Sequence, residues 1–280
     1  HSAQHTSPSA PLLEQDIMPI NEDRPSKFPV TSVMSDTDQS DEQTFGAAAG
    51  SQCMPSAYIA IANNSTGLGC SSWTGDTLKQ IISQGSSMYL SNRPAEHRYF
   101  SIDDLPKQVT MGQNHVAKQV NVTEKSGVLE SVDQSLDMKV MNVYGNLQHI
   151  FQSAMNKGAL LTMSEYTIAL LKDDNCFYVF DSHKRNTRGR PDGKNGFAGL
   201  FRYRCLFSVA MYIVDMATLL PRPDYTHYEM NAITFAHVSN TSHSQVLNAN
   251  IQVESSDSFV VATPIVKREP ESDNSAVYKN

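Results

Sequence analysis

Gly158 divides the hydrophobic patterning of this 280-residue chain into two regimes, and that division limits the folds open to it. Downstream, Leu160 to Met163, Tyr166 to Leu171 and Cys176 to Phe180 are apolar runs of strand length. Lys172-Asp173-Asp174-Asn175 between the last two reads as a hairpin turn. A further strand fits Ala198 to Tyr203, followed by a helix from Cys205 to Leu219 that Pro221 halts. Upstream, apolar residues recur at helical spacing. Leu147, Ile150, Phe151, Ala154 and Met155 predict a helix over 146–156, ended by Gly158. Leu78, Ile81 and Ile82 form the inner face of another over 74–84, with Thr74 or Asp76 as its cap. The small apolar residues from Met54 to Ala62, with Pro55 in the first turn, predict a buried helix that starts at Cys53 and stops near Gly67 and Gly69. Residues 33–50 read as an ordered loop more than a helix, because Gly46 and Gly50 interrupt them. The stretch 91–139 carries no pattern clear enough to assign. Helices followed by a mostly antiparallel sheet give the α+β class.

Hydrophobic residues make up 40% of the chain and charged residues 18%, unevenly spread. The first 33 residues and those after 222 are polar and read as mostly disordered tails around a domain at 34–222. Ile233, Phe235, Val246 and Val260 are too scattered to define an ordered piece within the second tail. A formal net charge of −7 argues against nucleic-acid binding, because Lys184, Arg185, Arg188 and Arg190 are the only basic cluster. No apolar run reaches the ~20 residues of a membrane span. No signal peptide is legible, and the first residue is His1 rather than Met. Cys53, Cys70, Cys176 and Cys205 lack zinc spacing, so neither metal nor cofactor is expected; they suggest a reducing compartment, cytoplasmic or nuclear. Sequons at Asn64 and Asn121 read as chance matches.

Two places could carry chemistry. Cys53 at a helix N-terminus meets unpaired N–H groups and the positive end of the dipole, which favour a thiolate. A buried cysteine is also simply a small hydrophobe, and Cys70, Cys176 and Cys205 are read so. In Phe180-Asp181-Ser182-His183, alternation turns Asp181 and His183 to one side of a strand, where the carboxylate can fix the imidazole. The same four residues also suit a polar strand terminus. His97, His115 and His149 have no acid two residues away, and His227, His237 and His243 fall in the polar C-terminal region.

Taken in order, Asp38-Gln39, Phe45-Gly46, Ala49-Gly50, Gln52-Cys53, Ser72-Trp73-Thr74, Gly158-Ala159-Leu160-Leu161-Thr162 and Phe177 to Arg185 resemble the deubiquitinating domain of the herpesvirus large tegument protein. The resemblance spans about 34–220 and is loose over 91–140. It implies a papain-like cysteine peptidase fold, with a helical part packed on the antiparallel sheet and a β-hairpin. It also implies a thiol peptidase that hydrolyses the isopeptide bond after the C-terminal glycine of ubiquitin. Cys53 then corresponds to the nucleophile, His183 to the base, Asp181 to its orienting carboxylate and Gln39 to the oxyanion donor, with Gln43 and Gln52 as rivals for the last role. Ubiquitin and its chains are the implied partners, with Glu165, Asp173 and Trp73 as candidates to meet them. A catalytically silent ubiquitin-binding module and a thiol hydrolase or acyltransferase acting on another Gly-ended modifier are the alternatives. Outside the domain, Val266-Lys267-Arg268-Glu269 has the form of a SUMO attachment site.

Overall fold

Asp174 and Asn175 adopt left-handed φ angles of 45° and 60°. Two consecutive residues of that hand make a two-residue turn whose twist matches the strands it joins, and Asp and Asn tolerate it better than other non-glycine residues. The hairpin expected at this point is therefore present; its first strand runs two residues closer to the turn than the apolar residues indicate, and its second extends past Phe180 to Arg185. They are β5 (Tyr166–Asp173) and β6 (Cys176–Arg185). The computed structural model describes residues 25–67, 69–92, 99–111, 115–129, 135–163, 165–220 and 227–238. Within these the hairpin belongs to a sheet of eight strands. The others are β1 (Thr31–Met34), β2 (Gln108–Met111), β3 (His115–Val128), β4 (Gly158–Met163), β7 (Phe197–Tyr203) and β8 (His227–Val238). Their order is β1-β7-β6-β5-β4-β8-β3-β2, and every adjacent pair is antiparallel.

Both faces of the sheet are covered. Leu160, Ala169, Leu171, Tyr178, Phe180 and Ile233 pack with α2 (Cys53–Thr66) and α3 (Gly75–Asn92). Their alternates Leu161, Leu170, Val179, Met230 and Ala232 pack with α4 (Leu136–Phe151) and α5 (Leu206–Ala217). Residue-by-residue alternation along a strand produces this division. The short helix α1 (Glu42–Phe45) completes the set, capped by Asp41, whose side chain accepts from the backbone N–H groups of Gln43 and Thr44. The α+β class holds, but strands β1 to β3 precede α4, so helices and strands are interleaved.

Helix α4 begins at Leu136, ten residues before its expected start, and ends at Phe151. Its first turns escaped notice because Leu136, Met138 and Met141 are exposed and break the apolar spacing. Asn156 closes its other end by donating to the Ile150 carbonyl at 2.7 Å. The expected boundary at 222 is also too early. Strand β8 lies inside the sheet between β4 and β3, where Ile233 and Phe235 join the core. The boundary at 33 cuts β1, whose four residues pair with β7. Residues 1–24 and 239–280, with the SUMO-like site at Lys267, lie outside the described residues. Among the described residues no helix is long and apolar enough to cross a membrane. Asn64 is buried, donates to the carbonyls of Lys157 and Lys172, and accepts from the Cys70 N–H, so its sequon is closed to modification in the folded chain.

Candidate active site

Cys53 is the first residue of α2, a helix buried on nearly every side between α3 and the sheet. Its thiol therefore sits where the first N–H groups of a helix lack intrahelical partners. The sulfur also meets the β4–β5 turn: Sγ lies 3.8 Å from the Glu165 carbonyl oxygen.

Strand β6 brings the other groups. Its register with β7 is regular as far as Asp181↔Gly199 and resumes only at Arg185↔Phe197, so the strand bulges across Ser182, His183 and Lys184. Bulges re-aim side chains and release backbone groups from the ladder. Here the freed Ser182 carbonyl accepts from the Gln39 N–H at 2.9 Å, docking the 35–41 loop against the end of the strand. Asp181 is fully buried. Its Oδ1 stands 2.6 Å from His183 Nδ1 and accepts from the His183 N–H at 2.9 Å, while Oδ2 accepts from Arg185 Nε at 2.6 Å. The Tyr166 ring lies 4.6 Å from the His183 ring and 5.8 Å below the Arg185 guanidinium.

Burial pushes the Cys53 thiol up, but hydrogen bonding to His183 and its positive charge outweigh this and bring the thiol below its ordinary value. For His183, burial pushes down, and the Asp181 carboxylate together with Cys53 raises it to about 9. Burial would raise Asp181; the Arg185 charge, then that of His183, holds the carboxyl well below its usual range. Each of the two groups thus favours the charged form of the other, and a thiolate is the nucleophilic form of a cysteine. The charges of Arg185, Asp181 and His183 alternate along a buried row that ends at the Cys53 thiol.

Gln39 is buried and held at several points. Its carbonyl accepts from the Gly50 N–H at 2.8 Å and from Gln52 Nε2 at 3.2 Å, and its side-chain Oε1 accepts from Ser182 Oγ at 2.7 Å. Gln52, immediately before Cys53, thus secures the loop, whereas Gln43 is exposed on α1.

The family model for the herpesvirus tegument protein N-terminal conserved region matches residues 34–250. The chain belongs to that family. Among solved structures, it is similar to the ubiquitin-specific protease encoded by the murine cytomegalovirus tegument protein M48, determined in complex with a ubiquitin-based suicide substrate. The TM-score is 0.56 at 16% identity, over 78% of this chain and 92% of that one. No curated protein matches the chain. The family and the fold expected from the ordered motifs are thus both present.

Cys53, His183 and Asp181 come together, and Gln39 joins them through Ser182 and Gln52. Glu165 stands at the turn beside Cys53. Asp173 does not belong here. It lies at the far end of β5 from Tyr166, ~23 Å away at the usual rise per strand residue, and its carboxylate accepts from the Ser71 N–H. Gly69 is the residue that leaves room for that carboxylate. Trp73 is buried in the core shared with α2 and α3, so it packs the fold and has no face for a substrate. Arg185 was legible only as part of a basic cluster, yet it is buried against Asp181, and its neighbour Arg190 pairs with Asp215 of α5 at 2.6 Å. Its position four residues after Asp181 was the available signal. Tyr166 and Ser182 gave none.

Proposed function

We propose that this chain is a deubiquitinating thiol peptidase that cleaves the bond after the C-terminal glycine of ubiquitin. The observation that carries the reading is the line from Cys53 through His183 to Asp181: a thiol at a helix start, an imidazole beside it, and a buried carboxylate 2.6 Å from Nδ1. Family membership and the fold shared with a viral ubiquitin-specific protease support ubiquitin as the partner.

In this mechanism the Cys53 thiolate attacks the glycine carbonyl carbon. The oxyanion is met by the Gln39 amide and the Cys53 N–H at the start of α2. Imidazolium His183 gives its proton to the departing lysine amine, and neutral His183 then draws a proton from water that hydrolyses the thioester. Asp181 keeps the imidazole oriented and stabilises its charged form, and Arg185 keeps Asp181 ionised. The modifier's tail would reach Cys53 past the β4–β5 turn, where Glu165 is the acidic neighbour. A thiolate nucleophile needs reducing surroundings, so the cytoplasm or nucleus is the proposed setting.

Hydrolysis of ubiquitin bearing a C-terminal fluorogenic amide tests the reading. Cys53→Ala should abolish turnover, and His183→Ala should lower kcat by at least ~100-fold, the usual worth of a general acid–base group. Turnover that survives Cys53→Ala would overturn it.

A further inference from the structure

We infer that Ser182 is a positioning residue that fixes which end of the Gln39 amide faces the reaction. The inference rests on the proposed peptidase reading and extends it to a residue that neither the motif nor the triad assigns.

A glutamine amide has two ends of nearly equal size, one a donor and one an acceptor, and torsion about its last bond is broad and roughly two-fold. Only the NH₂ end can stabilise an oxyanion; the flipped amide would set a carbonyl oxygen against it. Something must select the orientation. Ser182 Oγ lies 2.7 Å from Gln39 Oε1 and donates to it. A hydroxyl can accept as well as donate, so proximity alone does not decide. What decides is the fate of the hydroxyl hydrogen. Ser182 is 1% exposed, and among the described residues Gln39 Oε1 is the one side-chain partner of its hydroxyl. Flipping the amide would take from that hydrogen the acceptor it has among the described residues, and a buried unpaired donor is strongly disfavoured.

The backbone makes this selection rigid. Ser182 also accepts from the Gln39 N–H at 2.9 Å, and the Gln39 carbonyl is held by Gly50 and Gln52, so only the side-chain torsion is left to set. Both Ser182 contacts arise within the bulge between Asp181 and Arg185, which also carries His183. One irregularity of β6 therefore orients the imidazole on one side and the oxyanion donor on the other.

Kinetics of Ser182→Ala, Gln39→Ala and the double variant on ubiquitin with a C-terminal fluorogenic amide test this, with Cys53 alkylation by iodoacetamide followed against pH. Losing one oxyanion donor outright costs about 100- to 1,000-fold in kcat. Ser182→Ala should lower kcat by ~10-fold or more, with KM and the alkylation pH profile unchanged, and should add less than about 2-fold in a Gln39→Ala background. A kcat within about 2-fold of wild type, a displaced alkylation profile, or full additivity with Gln39→Ala would overturn the inference. If the alanine variant does not fold, Ser182→Cys, a weaker donor of similar size, decides the point: a several-fold lower kcat supports the role and an unchanged kcat refutes it. Wild-type protein that does not turn over the amide would contradict the peptidase reading itself, a result separate from any of these.

Discussion

The proposed chemistry turns on two titrating residues. The Cys53 thiol is held below its ordinary value by His183, and His183 is raised to about 9 by Asp181 and Cys53. Alkylation of Cys53 by iodoacetamide should climb less steeply from about pH 7 to 8.5 than that of an ordinary thiol, which gains ~10-fold per pH unit below its pKa of about 8.5. In His183→Ala the rate should be low at neutral pH and climb with pH; a wild-type rate that climbs in the same way would contradict the pairing. The linkage has a definite sign. His183 has a folded pKa above its unfolded value of ~6.5, so its contribution to stability is full below that pH and is lost as pH rises through about 9. Asp181 and His183 were legible as a pair because they obey strand alternation, and Cys53 because it opens a clear helical run. Arg185 was not, because a basic residue at a strand end ordinarily remains in solvent and nothing local marks this one as buried.

The crossing of α2 and α3 controls where Cys53 stands. Gly85 of α3 faces Ser56 of α2 so closely that a Cβ would lie 2.6 Å from the Ser56 Cα and 2.7 Å from its backbone nitrogen. Ser56 is one turn from Cys53. In an unencumbered helix Gly→Ala gains up to ~1 kcal/mol. Here Gly85→Ala should instead destabilise the fold by about 1–3 kcal/mol through overpacking, read by urea denaturation, and should slow Cys53 alkylation. A stabilised variant would contradict the packing described. Helix α2 was legible from its small apolar residues, and the β5–β6 hairpin from its polar turn. Strand β3 was not. Its neighbours in the sheet hold it, and Glu124, Ser126 and Val128 are exposed, so its sequence lacks the apolar alternation of a half-buried strand.

At the scale of the whole molecule, the sheet depends on a strand that the sequence hides. Asn231 and Thr234 are buried polar residues that interrupt the apolar pattern of β8; Thr234 donates to Asn156 at 2.9 Å and Asn231 to Glu229 at 2.5 Å. With its polar groups paired internally, β8 joins β4 to β3. A chain ending at 222 loses this link and should show no cooperative unfolding transition by circular dichroism, whereas one ending at 250 should unfold cooperatively. Cooperative folding of the shorter chain would contradict the topology.

The central claim is that Cys53 is a nucleophile presented to the C-terminus of ubiquitin. Its most direct test is incubation of the purified chain with ubiquitin carrying a C-terminal thiol-reactive alkyne, beside Cys53→Ala and an equivalent SUMO probe. The account predicts one covalent ubiquitin adduct, absent from Cys53→Ala and absent with SUMO. A folded wild-type chain that forms no ubiquitin adduct, or forms one that survives Cys53→Ala, would contradict it.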